Sequence, residues 1–65
     1  MNKEEIGRRL VKARGGKPQR QAAKEIGISR SALSMYETGA RVPKDEIKIR
    51  IADVYGLSVQ ALFFD

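Results

Sequence analysis

The sequence contains no cysteine, no histidine and no tryptophan. Without cysteine there is no disulfide to hold a small core together. Without cysteine or histidine, a zinc or other transition-metal site would lack its usual ligands. No metal and no cofactor are therefore expected. The same gaps weigh against catalysis. There is no thiol or imidazole, no glycine-rich loop after a strand to cradle phosphates, and no carboxylate pair across an obvious cleft. No apolar run approaches the roughly 18 residues that a membrane span needs. Lys3 is followed by Glu4 and Glu5 rather than by an apolar stretch, which is unlike a secretory leader. A cytoplasmic location is expected, and the lack of cysteine is compatible with a reducing compartment.

What is present is 65 residues, 42% of them hydrophobic, with 13 Lys and Arg against 8 Asp and Glu. That length suits one small domain, expected to span residues 1–65. A core of this size supplies only a few kcal/mol of net stability, so close helix packing or a second subunit must contribute. The formal net charge of +5 points toward a polyanion, either nucleic acid or an acidic membrane surface. The cations do not gather opposite a broad apolar face, which disfavours the membrane. Such a charge also serves plain solubility, so its placement must decide.

Apolar residues recur at helical spacing, and no segment alternates as a strand would. The spacing predicts a first helix over Lys3–Arg14, with Asn2 as cap, Glu5 completing a capping box, and Ile6, Leu10 and Ala13 inward. Gly15 and Gly16 stop it. A second helix is expected from Pro18 or Gln19 to Ile26, with Ala22, Ala23 and Ile26 as a narrow apolar strip. A third runs from Arg30 to Thr38 behind Ser29 as N-cap, with Leu33 and Tyr36 inward and Gly39 as its stop. A fourth is expected from Pro43 to Tyr55. Asp45 and Glu46 suit its positive dipole end, and Ile47, Ile51, Val54 and Tyr55 form its stripe. Ser58 caps a short fifth helix over Val59–Phe63, where Leu57 can pack on Leu62 as a staple. Adjacent Phe63 and Phe64 would point about 100° apart on a helix. One is expected inside and the other on an exposed apolar patch. The sum is an all-α, five-helix orthogonal bundle.

The informative stretch is QRQAAKEIGISRSALSMYETG, Gln19 to Gly39. It reads as helix, glycine-centred turn, helix. Gly27 can take a left-handed conformation at little steric cost, Ile28 can tuck inward, and Ser29 starts the next helix at once. Two helices then meet at a steep angle and the second protrudes. Its exposed side chains suit duplex DNA. Arg30 can bond bidentately to guanine O6 and N7. Ser31 and Ser34 are short enough to let the helix sit deep in a groove. Ala32 and Met35 can touch a thymine methyl, although Met35 could equally fill the core. Free N–H groups at helix starts can meet phosphates, and Gln19 is placed for that.

The ordered pieces IGRRLVKAR, Q-x-x-A-A-x-x-I-G-I-S-R-S-A-L-S-x-Y-E-T-G, R-x-P and KIRIADVYGLSVQALFF resemble the Xre family of phage-repressor and Cro-like helix-turn-helix regulators. The resemblance covers nearly the whole chain and implies a lambda-repressor-like fold. It implies that Gln19 contacts phosphate and braces the recognition helix, and that Arg30, Ser31, Ala32 and Met35 face bases. It implies an ion pair between Arg14 and Glu37 joining the first and third helices. The loop from Thr38 to Val42 would bring its backbone near phosphates, with Arg41 adding charge. Arg20 and Ser29 are assigned to phosphates beside Gln19 and Arg41. Dimerisation through the last helix is also implied, with Phe63 and Phe64 as candidates. Two departures stand out. The link from Gly15 to Pro18 is shorter than the commonest pattern, and Pro18 replaces the usual Ser or Thr cap, which removes a phosphate contact.

The expected partner is thus a roughly palindromic double-stranded DNA operator, bound by a homodimer acting as a repressor. An antagonist or toxin protein is a possible further partner. The rival reading is a protein-interaction module on the same fold, an antitoxin or adaptor, which would show little affinity for duplex DNA at any salt concentration.

Overall fold

The computed structural model describes residues 1–64. Five helices follow one another: α1 Lys3–Arg14, α2 Gln19–Ile26, α3 Arg30–Thr38, α4 Asp45–Tyr55 and α5 Val59–Phe63. No strand occurs among the described residues, and none of their helices is long and apolar enough to cross a membrane.

Local chemistry sets most of the boundaries. Asn2 Oδ1 accepts the Glu5 N–H at 2.8 Å. Ser29 Oγ and Ser58 Oγ accept the N–H groups of Ala32 and Ala61, each at 3.0 Å. Each cap satisfies one of the donors that the first helical turn leaves open. The Glu5 carboxylate turns to Arg9, 3.4 Å away, instead of closing the capping box. α4 starts later than expected. Lys44 is extended, and its carbonyl accepts the first helical bonds from Ile47 and Lys48 at 2.9 Å. Pro43 is buried ahead of the helix rather than forming its first residue.

The core draws one fully buried large side chain from each of four helices: Leu10, Leu33, Ile51 and Leu62. α2 contributes the small residues Ala22 and Ala23, which allow its backbone to approach the others. α5 is clamped from the far end of the sequence. Arg9 Nη1 donates to the Ala61 carbonyl at 2.8 Å and to the Phe64 carbonyl at 3.1 Å, meeting acceptors that the end of α5 leaves open. Leu57 lines a shallow groove with Leu62, but it stays 46% exposed, so the expected staple is only partial.

Phe63 requires a correction. It is 3% exposed and belongs to the core, so it offers nothing to a second subunit. Phe64 is 47% exposed. The reason is that α5 lays Phe63 inward beside Leu62, and the next residue, already extended, points out. Lys48 Nζ lies 5.0 Å from the Phe64 ring centroid and 5.6 Å from that of Phe63, within cation–π range of both.

Gly7 marks the crossing of α1 over α3. A Cβ there would overlap the Glu37 carbonyl group. Gly7→Ala gains up to about 1 kcal/mol in helix propensity. Overpacking costs about 1–3 kcal/mol, toward the upper end here because the obstacle is backbone and cannot rotate away. The variant is expected to unfold at lower urea concentration than the parent. An equal or higher midpoint would show that the two helices part freely at this crossing.

Candidate nucleic-acid interface

Three residues join α2 to α3: Gly27, Ile28 and Ser29. Gly27 has φ +89°, the left-handed conformation that reverses the chain here. Its N–H and that of Ile28 both reach the Ala23 carbonyl, at 2.9 and 3.0 Å, which closes the end of α2. Ile28 packs partly against the core, and Ser29 caps α3 immediately. Each residue of the turn thus has a defined structural task.

α3 divides into two faces. Leu33, Tyr36 and Glu37 are buried. Arg30 and Ser31 are exposed, and Ser34 and Met35 are half-buried on the opposite side. Arg30, Ser31 and Ser34 together line a shallow depression of about 240 Å³. Ala32, grouped with them by sequence, sits at the edge and packs against the core. Its methyl is therefore partly withdrawn from the outward face. Ser29 is exposed with its oxygen engaged in capping. Arg20 and Arg41 are exposed, on α2 and on the loop after α3.

Behind this face lies a polar hub. The Glu37 side chain is 3% exposed and that of Arg14 is 18% exposed. Arg14 Nε and Nη2 donate to the two Glu37 carboxylate oxygens at 2.7 and 3.1 Å. This is the bidentate fork that gives the strongest pairs. Arg14 Nη1 donates to the Lys17 carbonyl at 2.8 Å, which also ties down the α1–α2 link. Gln19 Nε2 donates to Glu37 Oε1 at 2.7 Å. One carboxylate thus gathers α1, α2 and α3. The hydrogen bond that Arg14 donates to Glu37 raises the Arg14 pKa, with burial opposing. The Tyr55 hydroxyl oxygen is buried. Burial pushes its pKa up, and the Glu37 charge adds to that.

Gln19 is therefore a brace between α2 and α3, with the amide nitrogen already engaged. Arg9 and Lys17 have internal partners that no local pattern announces. Arg9 clamps α5, and Lys17 Nζ pairs with Glu25 Oε1 at 2.5 Å. Gly7 was not singled out. A glycine inside an otherwise strong helix was the one available signal of a close crossing.

A family model described as helix-turn-helix matches residues 8–62. No curated protein matches the sequence. Among solved structures, the chain is similar to the restriction-modification controller protein C.AhdI from Aeromonas hydrophila. Identity is 26%, 92% of this chain and 90% of that one are covered, and the TM-score is 0.85. It is also similar to the clp gene regulator ClgR from C. glutamicum, with 26% identity, 92% and 80% coverage and a TM-score of 0.81. The P22 c2 repressor, solved in complex with a synthetic operator, has 24% identity, 88% and 89% coverage and a TM-score of 0.85. At that identity the last likeness bears on the fold alone.

Proposed function

This chain belongs to the Xre-like helix-turn-helix family of DNA-binding transcriptional regulators, and we propose that it is a repressor that reads operator DNA as a homodimer with α3 in the major groove. The observation that carries this reading is the outward face of α3, where Arg30 and Ser31 are exposed and open onto a polar depression shared with Ser34. Arg30 reads a guanine edge, Ser31 and Ser34 allow close entry, and Met35 meets a thymine methyl. Ala32 adds an apolar contact at the rim. Arg20, Ser29 and Arg41, with the start of α2 at Gln19, meet phosphates and fix the register. The helix-turn-helix family match over residues 8–62 supports duplex DNA as the ligand.

Residues 1–65 act as one binding domain in this reading, without catalysis. Neither histidine nor cysteine is available for it. Phe64 is the apolar contact offered to a second copy. The protein works in the cytoplasm, on the nucleoid when bound, and control comes through its abundance or an antagonist protein.

Enrichment of random duplexes by the purified protein tests the proposal. The expected product is an inverted repeat with half-sites about 34–36 Å apart, or a multiple of that. Failure to enrich any sequence at any salt concentration would favour an adaptor. On the enriched site, Arg30→Ala is expected to lose about 1–3 kcal/mol of binding and to relax preference at one base pair. Equal weakening on every duplex would make Arg30 a phosphate contact instead.

A further inference from the structure

An open dent of about 590 Å³ lies between α2 and the start of α3, lined by Pro18, Arg20, Gln21, Lys24 and Arg30. Three of those five side chains are cations. Arg20 and Lys24 stand four residues apart on α2, a like-charge spacing that disfavours the helix in isolation. None of the three makes an ion pair or hydrogen bond among the described residues.

The neighbouring carboxylate does not answer this charge. Glu25 is held by Lys17 Nζ at 2.5 Å and by Gln21 Nε2 at 3.1 Å, and those bonds lower its pKa. Four cations outside the dent are matched internally, Arg9 with Glu5, Arg14 with Glu37, Lys17 with Glu25 and Lys48 with Asp45, and these pairs take up carboxylates that could otherwise face it. The dent therefore concentrates positive charge that the protein itself leaves unneutralised. Arg30 lines both this dent and the depression on α3, so the two surfaces are continuous.

We propose that Lys24, together with Arg20, grips a phosphate of the DNA backbone in this dent. The inference rests on the DNA-binding reading above and adds a contact on the outer face of α2. Lys24 acts as a point charge and Arg20 supplies directed donors. A phosphate held there fixes the tilt of α3 in the groove. It also screens Arg30 from its two cationic neighbours, leaving that guanidinium to the base edges.

The test compares the parent protein, Lys24→Gln and Lys12→Gln on the enriched site and on an unrelated duplex, between about 50 and 200 mM salt. Lys24 is exposed, so the glutamine variant keeps the fold, which a thermal melt verifies. Lys12 lines the α1–α5 groove and serves as the charge-matched control. For Lys24→Gln, the slope of log affinity against log salt is expected to shrink in magnitude by about 0.9. The salt rise then weakens this variant about three- to four-fold less than the parent. Both duplexes lose affinity by the same factor, and Lys12→Gln keeps the parental slope. An unchanged slope for Lys24→Gln overturns the inference, as does an equal change in the Lys12 control or a loss confined to one duplex. A parent protein that binds no duplex at any salt refutes the DNA-binding reading itself, and this contact with it.

Discussion

Replacing Arg14 with alanine is expected to cost about 3–5 kcal/mol, because it leaves the partner of a buried ion pair uncompensated. The Glu37 side chain is 3% exposed, and Arg14 supplies two of the three hydrogen bonds that side chain accepts. Gln19 alone cannot balance a buried carboxylate. A domain this small has only a few kcal/mol to lose, so the variant should be largely unfolded, with far-UV helicity lost at ambient temperature. Arg14→Met combined with Glu37→Leu separates charge from packing. Apolar replacement of a buried pair is often neutral or better, so the double variant is expected to regain helicity. It should still bind DNA more weakly than the parent, because Gln19 has lost the acceptor that braces α2 against α3. A loss below about 1 kcal/mol for Arg14→Ala would class the pair with exposed ones and deny the hub its structural role.

The same hub shows which features a sequence can carry. The caps at Asn2, Ser29 and Ser58 were legible because donor and acceptor lie within one turn of each other. The inward faces were legible because helical periodicity is itself a statement about burial. The start of α4 was not fixed locally, since proline suits both the first helical residue and the residues before it. Adjacent Phe63 and Phe64 had to diverge, but only the docking of α5 decides that Phe63 turns inward. Arg9 finds a partner 52 residues away, a pairing no local pattern encodes. The pairing of Arg14 with Glu37 was implied by family resemblance, whereas its burial is a property of how three helices converge. Ala32 sat within the candidate reading face by spacing, yet the packing of α3 draws it toward the core. Lys24 gains meaning only from missing counter-charge nearby, which depends on where Glu25 turns.

Ser34→Glu is expected to abolish duplex binding while leaving the fold intact. Glutamate is at least as good a helix former as serine, and Ser34 is half-buried on the side of α3 away from the core. Glu37 lies three residues on, but its carboxylate is already paired with Arg14, so the cost to the fold is small. On DNA the new carboxylate would enter a groove walled by phosphates, one charge per about 1.7 Å of helix axis. Like charges set together across an interface cost several kcal/mol, which corresponds to a loss of about 100-fold or more in affinity. A second effect adds to the first. Arg30 lies four residues before position 34, so an intrahelical pair would hold its guanidinium away from the base edges. Ser34→Gln matches the size without the charge and should retain intermediate binding. Fluorescence anisotropy on a labelled operator at low salt, beside circular dichroism of each variant, separates the two contributions. If the glutamate variant bound within about tenfold of the parent, a difference of about 1.4 kcal/mol, the reading surface would have to lie elsewhere than on this face of α3.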